Sequence, residues 1–178
     1  MSPAAPGGAY VPGSLTRYLV EDHERLDGLL RRALERPPAV DMAAYDEFRR
    51  GLLRHIGIEE KLLFPAAQRA NGGEPLPVAS RLRLDHGALA ALLVPPPTAK
   101  IIGAIRTILV GHNRLEDEAG GAYEICERLM GSEIAVLAAE VRAFPPVPVS
   151  PHVDDVRVVG AMRRALARAG YNPASLGL

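Results

Sequence analysis

The sequence predicts an all-α fold, an antiparallel four-helix bundle of up-down-up-down connectivity followed by extra C-terminal helices. Three observations carry this prediction. Apolar residues recur at helical spacing, and no segment shows the period-two alternation and β-branched enrichment of a strand. Proline and glycine clusters cut the chain into helix-sized pieces joined by short connections, which favours antiparallel neighbours. An internal repeat relates the first two pieces to the next two.

Residues 1–13 are small and rich in Pro and Gly, and are expected to form a flexible leader. Ser14 is the expected cap of a first helix reaching about Arg36, where Pro37-Pro38 stops it. Asp41 caps a second helix that runs to about Ala70 and ends at Asn71-Gly72-Gly73. A third spans about Pro77 to Val94 and is broken by Pro95-Pro96-Pro97. Thr98 caps a long fourth helix, from about Ala99 to Met130, with Gly131 as its stop. Ser132 begins a short helix to about Phe144, PPVPVSP (145–151) forms a stiff linker, and a last helix over 153–169 carries Arg157, Arg163, Arg164 and Arg168. The expected organisation is therefore a leader over 1–13, the bundle over 14–131 and a C-terminal helical extension over 132–178.

Charge narrows the function classes. The 178 residues hold 21 Lys+Arg against 21 Asp+Glu with no basic run, which argues against a partner bound through phosphate neutralisation, nucleic acid or anionic membrane. The single cysteine, Cys126, rules out an internal disulfide framework and a Cys-rich metal site, and fits a reducing compartment. With neither a secretory signal nor an apolar stretch of membrane-spanning length, a cytoplasmic location is expected.

The repeat concentrates the chemistry. Residues 22–30 read DHERLDGLL and 85–93 read DHGALAALL; each half then carries a second His with Glu four residues later, His55/Glu59 and His112/Glu116. Each Glu is followed by another acid, Glu60 or Asp117. Helical spacing puts His23, His55, Glu59, His86, His112 and Glu116 on the apolar stripes of their helices, beside residues such as Leu26, Leu52, Leu89 and Ile108. Buried carboxylates must be paired, coordinated or protonated, and these stripes carry no Lys or Arg to pair them. A pair of metal ions supplies the missing positive charge, because an i,i+4 His/Glu pair stacks both donors on one helix face. Four imidazoles, two carboxylates and no thiolate suit iron, manganese, copper or zinc better than calcium or magnesium.

On the pattern H…HxxxE…H…HxxxE, and on the run HIGIEEKLLFP (55–65), the chain resembles the hemerythrin-like, or HHE cation-binding, domains over about residues 14–131. The resemblance implies a non-heme di-iron centre with an oxo or hydroxo bridge, bridging carboxylates and terminal imidazoles, zinc or manganese being the alternative metals. It also implies a small diatomic or peroxide ligand, and hence oxygen, redox or iron sensing, or decomposition of peroxide. The alternative is a helical interaction module with a structural zinc, meeting a protein partner through the Arg-bearing last helix.

One departure matters. Oxygen-carrying hemerythrins have two His at i,i+4 on the third helix, whereas Ala90 stands at i+4 from His86 here. Four His, two bridging carboxylates and one bridging oxygen fill about ten of the roughly 12 positions around two six-coordinate irons. About two stay open, which favours binding of exogenous ligands over reversible oxygen carriage. Asp27, at i+4 from His23, and Tyr123, two turns beyond Glu116, are candidates to join the ligands or support them. Asp22 and Asp85, about 100° around the helix from the stripes, are expected to face solvent. Cys126 is expected to be a buried hydrophobe and His152 a surface or capping residue. Gly57, Gly111 and Gly120-Gly121 fit either close helix approach or a path for a small ligand.

Overall fold

The computed structural model describes residues 13–178, apart from the side chain of Ser14; except for Gly13, the expected leader lies outside the described residues. The regular structure among them is entirely helical: α1 (Ser14–Ala33), α2 (Met42–Ile58), a π-helical turn (Glu59–Leu63), α3 (Phe64–Ala70), α4 (Ala79–Leu92), α5 (Ala99–Asp117), α6 (Ala122–Met130), α7 (Ile134–Ala143) and α8 (Val156–Arg168). None of these helices is long and apolar enough to cross a membrane.

Several caps are those the sequence implies. Asp41 accepts from the amides of Ala43 and Ala44 at the start of α2, and Thr98 from that of Ile101 at the start of α5. The start of α1 is different: Ser14 is its first helical residue, and Gly13 precedes it. The Glu127 carboxylate, brought from α6, accepts from the amides of Gly13 (3.0 Å) and Thr16 (3.1 Å), where a negative charge also suits the helix dipole. At its other end α1 stops at Ala33 rather than Arg36, because the returning chain donates Asp41 N–H to Ala33 O at 2.9 Å.

Two expected helices are interrupted. Within the second, the turn after Ile58 widens so that Phe64 N–H reaches back five residues to Glu59 O. Pro65 explains the widening, because it lacks an N–H and its ring crowds the carbonyl four residues before it. The expected fourth helix ends at Asp117 and restarts at Ala122. Gly121 N–H donates to Glu118 O (2.7 Å), Gly120 takes φ +81°, and a Cβ on Gly121 would lie 2.6 Å from Glu116 O. Only glycine tolerates this tight reversal.

Two apolar clusters flank the polar residues along these helices. One contains Leu26, Leu52, Leu89 and Ile108; the other contains Leu19, Ile58, Leu82 and Tyr123. His23, His55 and His86 each fall between members of the two clusters on their own helix, so the fold holds a polar layer between apolar ones. Each fully buried Leu or Ile contributes roughly 1.5–3 kcal/mol, and these layers fix the helices against each other on both sides. Beyond the repeat, α8 packs on α4 with Met162 and Leu166 buried in the first cluster, and leaves Arg163, Arg164 and Arg168 in solvent.

Candidate metal centre

The six residues expected to converge do so. His23, His55, Glu59, His86, His112 and Glu116 are buried, the most exposed being His23 at 7%. Their inward atoms form two groups, His23/His55/Glu59/Glu116 and Glu59/His86/His112/Glu116, each with its atoms within 4.8 Å of one another. Both carboxylates belong to both groups. Glu59 turns Oε1 toward His55 Nε2 (3.4 Å) and Oε2 toward His86 Nε2 (3.2 Å). Glu116 turns Oε2 toward His23 Nε2 (3.5 Å) and Oε1 toward His112 Nε2 (3.2 Å).

Acids outside the centre meet the outer ring nitrogens. His23 Nδ1 lies 3.2 Å from Asp117, His55 Nδ1 2.9 Å from Asp22 and His86 Nδ1 2.8 Å from Glu60. His112 Nδ1 faces Asp85 at 3.6 Å, an electrostatic contact longer than a hydrogen bond. In a neutral imidazole, an Nδ1–H that donates outward leaves Nε2 as a lone pair. Nε2 of His23 then faces that of His55 at 2.9 Å, and Nε2 of His86 faces that of His112 at 3.2 Å. Glu59 Oε2 and Glu116 Oε1 are buried without a hydrogen-bond partner. Nitrogen and oxygen donor atoms gathered this closely fit cations between them, and a set without sulfur fits the transition metals of the sequence expectation.

These outer acids correct one expectation. Asp22 and Asp85 do not face solvent: Asp85 is 1% exposed, and both turn to an imidazole of the neighbouring helix. The 100° offset that removes them from their own stripe aims them at the partner helix. The signal was present in the doublets Asp22-His23, Asp85-His86, Glu59-Glu60 and Glu116-Asp117: in each, one residue points to the centre and its neighbour secures an imidazole of another helix. Asp85 is itself held by Arg81 (2.6 Å) and by the Tyr171 hydroxyl (2.8 Å), so the segment after α8 reaches the support of His112.

Electrostatics without a bound cation follow from crowding. Burial opposes protonation of His55, but the Glu59 and Asp22 carboxylates outweigh it and raise its pKa to about 10. Burial works against ionisation of Glu59, yet His55 holds it well below the usual carboxylate range. Glu116 is pushed well above that range by burial and by the Glu59 charge. Protons thus take up part of the charge compensation that metal would supply.

Tyr123 is the second correction. It does not continue the helix of Glu116; the break at residues 118–121 lets α6 lay its phenol over the centre. The hydroxyl donates to Glu59 Oε1 at 2.6 Å and lies 3.4 Å from Glu116 Oε2. Asp27, by contrast, is no part of the centre. Its side chain is 48% exposed and lies 3.3 Å from Arg31 and 4.0 Å from Arg106, since α1 turns the edge of the stripe outward at that position. Cys126 is fully buried. His152 lies outside the repeat as expected, but it is partly buried, stacked on Tyr45 with ring centroids 5.9 Å apart.

A cavity of about 310 Å3 leads from solvent to the imidazoles of His23, His55 and His112. Leu26, Leu52, Ile56 and Leu109 give it an apolar lining, and Asp27 and Arg106 stand in its wall. Of the small residues near the centre, Gly57 approaches the Phe144 ring, where a Cβ would lie 3.2 Å away, while Gly111 has open space.

Residues 14–121 match the family model described as the hemerythrin HHE cation-binding domain. No curated protein and no solved structure matches the chain.

Proposed function

Because the chain belongs to the hemerythrin HHE cation-binding domain family, we propose that it is a non-heme di-iron protein which binds oxygen or a related small oxidant within an up-down-up-down bundle. In this reading His23 and His55 would hold one ion and His86 and His112 the other, and Glu59 and Glu116 each turn one oxygen toward each position. The observation that carries the reading is the meeting of four imidazole Nε2 atoms with two carboxylates, each holding a partnerless oxygen, in a buried layer. A bound iron pair supplies one-electron chemistry between ferrous and ferric states.

The chain's own residues do the rest. Asp22, Glu60 and Asp117 orient the imidazoles of His55, His86 and His23 through the outer ring nitrogen, and Asp85 faces that of His112. The apolar layers limit water, which strengthens each electrostatic contact inside. The cavity favours a centre that meets an exogenous ligand over a purely structural zinc, because a site that only holds helices together needs no passage to solvent.

Elemental analysis with an optical spectrum of protein expressed in iron-rich medium tests the proposal. Two irons per chain, with near-ultraviolet and visible absorption that responds to oxygen or peroxide, is the expected result. Zinc content without absorption refutes it. Turnover of hydrogen peroxide that is lost in His112→Ala marks an enzyme; a reversible spectral change without turnover marks a binder.

A further inference from the structure

We propose that Tyr123 is a fifth protein donor to the metal position built from His23 and His55, which leaves the His86/His112 position as the one that takes exogenous ligand. The inference rests on the metal-pair reading above and concerns only how this chain divides its donors between the two ions.

The geometry is specific. The Tyr123 hydroxyl oxygen lies 2.6 Å from Glu59 Oε1 and 3.4 Å from Glu116 Oε2, 3.2 Å from His55 Nε2 and 3.3 Å from His23 Nε2. These four atoms are the inward set of one position and of that position only. Neighbouring donors held about 2.1 Å from a common ion at right angles stand roughly 3 Å apart. The phenol oxygen is at that spacing from all four, where a further ligand to the same ion belongs. Its place is secured: the residue is 2% exposed, and its ring lies against His23 with centroids 5.9 Å apart and planes 30° apart. The Gly120-Gly121 reversal brings it there.

The other position has no such group among the described residues. At the 57-residue offset relating Glu59 to Glu116, the counterpart of Tyr123 is Ala66. Beside His86 the structure places Phe64, whose ring stacks on the imidazole with centroids 6.3 Å apart and offers no donor atom. A nearly symmetric pair of motifs therefore carries an asymmetric donor set. In the carriers that the sequence resembles, the extra imidazole belongs to the third helix, hence to the His86 side; here the extra donor lies on the opposite ion. The cavity is lined by His112 of the less occupied position as well as by His23 and His55.

Coordination breaks the Tyr123 O–H bond and forms an oxygen–metal bond; the proton leaves to solvent, and no electron changes hands. Resonance Raman spectra of the full chain loaded with ferric iron test this. Phenolate ring modes, excited within a visible phenolate-to-iron charge-transfer band and shifted by ring-deuterated tyrosine, are expected in the wild type. They are lost in Tyr123→Phe while two irons remain bound. Azide titration is the second measurement, with about one azide per chain in the wild type and about two in Tyr123→Phe.

The wild-type measurements stand even if the variant fails to fold. Two bound irons without phenolate modes, modes that persist in Tyr123→Phe, or two azides per wild-type chain would overturn the assignment. Failure of the wild type to bind iron overturns the metal-pair reading beneath it, and this inference with it.

Discussion

Removing an acid that holds an imidazole from behind should loosen one ion of the pair without unfolding the bundle. Glu60 gives the clearest case, because Oε1 accepts from His86 Nδ1 at 2.8 Å while Oε2 accepts from Arg83 at 3.0 Å. Loss of such an acceptor typically costs a metal site about 10–100-fold in affinity, or roughly 1.4–2.7 kcal/mol. Glu60 is 26% exposed, so water can partly replace it, and Glu60→Ala belongs near the tenfold end. Asp22 is 12% exposed and lies 2.9 Å from His55, which places Asp22→Ala nearer a hundredfold. Chelator competition followed by metal counting measures both, and the ranking Asp22 above Glu60 is part of the expectation. Glu60→Gln, which keeps an oxygen acceptor but not the charge, should recover part of the loss. The reasoning fails if Glu60→Ala retains both ions at wild-type affinity, or if the metal-free variant is destabilised as much as its metal binding is weakened.

Other perturbations separate the roles of the remaining residues. Glu59→Gln should release both ions and His55→Ala chiefly one, because Glu59 faces both positions and His55 only its own; metal counting after dialysis distinguishes them. The Cys126 thiol, pushed up to about 12 by burial and by the nearby Glu59 charge, should not react with a thiol reagent at pH 8 until the protein is unfolded. His55 in the metal-free protein has a pKa raised from 6.5 to about 10, so its stabilising contribution is full below about pH 6.5 and lost as pH rises through 10. Thermal denaturation of the metal-free wild type against His55→Ala should show their difference shrinking over that window. A proton so held competes with metal, and chelator-buffered titrations should therefore show tighter metal binding as pH rises toward 10.

The helical class and the six converging residues were legible in the sequence for one reason: both follow from periodicity and from the cost of burying charge. His23 and His86 share stripes with leucines, and a stripe already states which way it faces. The features that sequence reading missed depend on the chain leaving an ideal helix or on which neighbour a side chain meets. In sequence the Gly120-Gly121 pair fits close packing or a ligand path equally well, and the break shows only in the structure, where a Cβ on Gly121 would lie 2.6 Å from Glu116 O. At 100° from the stripe, helical geometry alone points Asp22 and Asp85 outward. In a bundle that angle also faces the adjacent helix, and an exposure of only 1% at Asp85 decides the matter. Asp27 erred in the opposite sense, since i+4 from a buried His at the stripe's edge still reaches solvent.

The outer acids explain why the repeat extends beyond the ligands. A carboxylate needs positive charge to enter the core, and an acceptor on Nδ1 of an imidazole favours the tautomer whose lone pair lies on Nε2. His55 takes that acceptor from its own hairpin, as Asp22, and His86 takes it from the other, as Glu60. His23 likewise depends on Asp117 across the two halves. Neither half therefore completes even its own pair of imidazoles. Each doublet turns one residue toward the centre and the other toward an imidazole of another helix. Tyr171 carries the dependence one step further, since the segment after α8 meets Asp85 and so bears on His112 without touching the centre. A Tyr171→Phe substitution should accordingly weaken only the ion held by His86 and His112, an effect that a folding defect spread over the whole bundle would not reproduce.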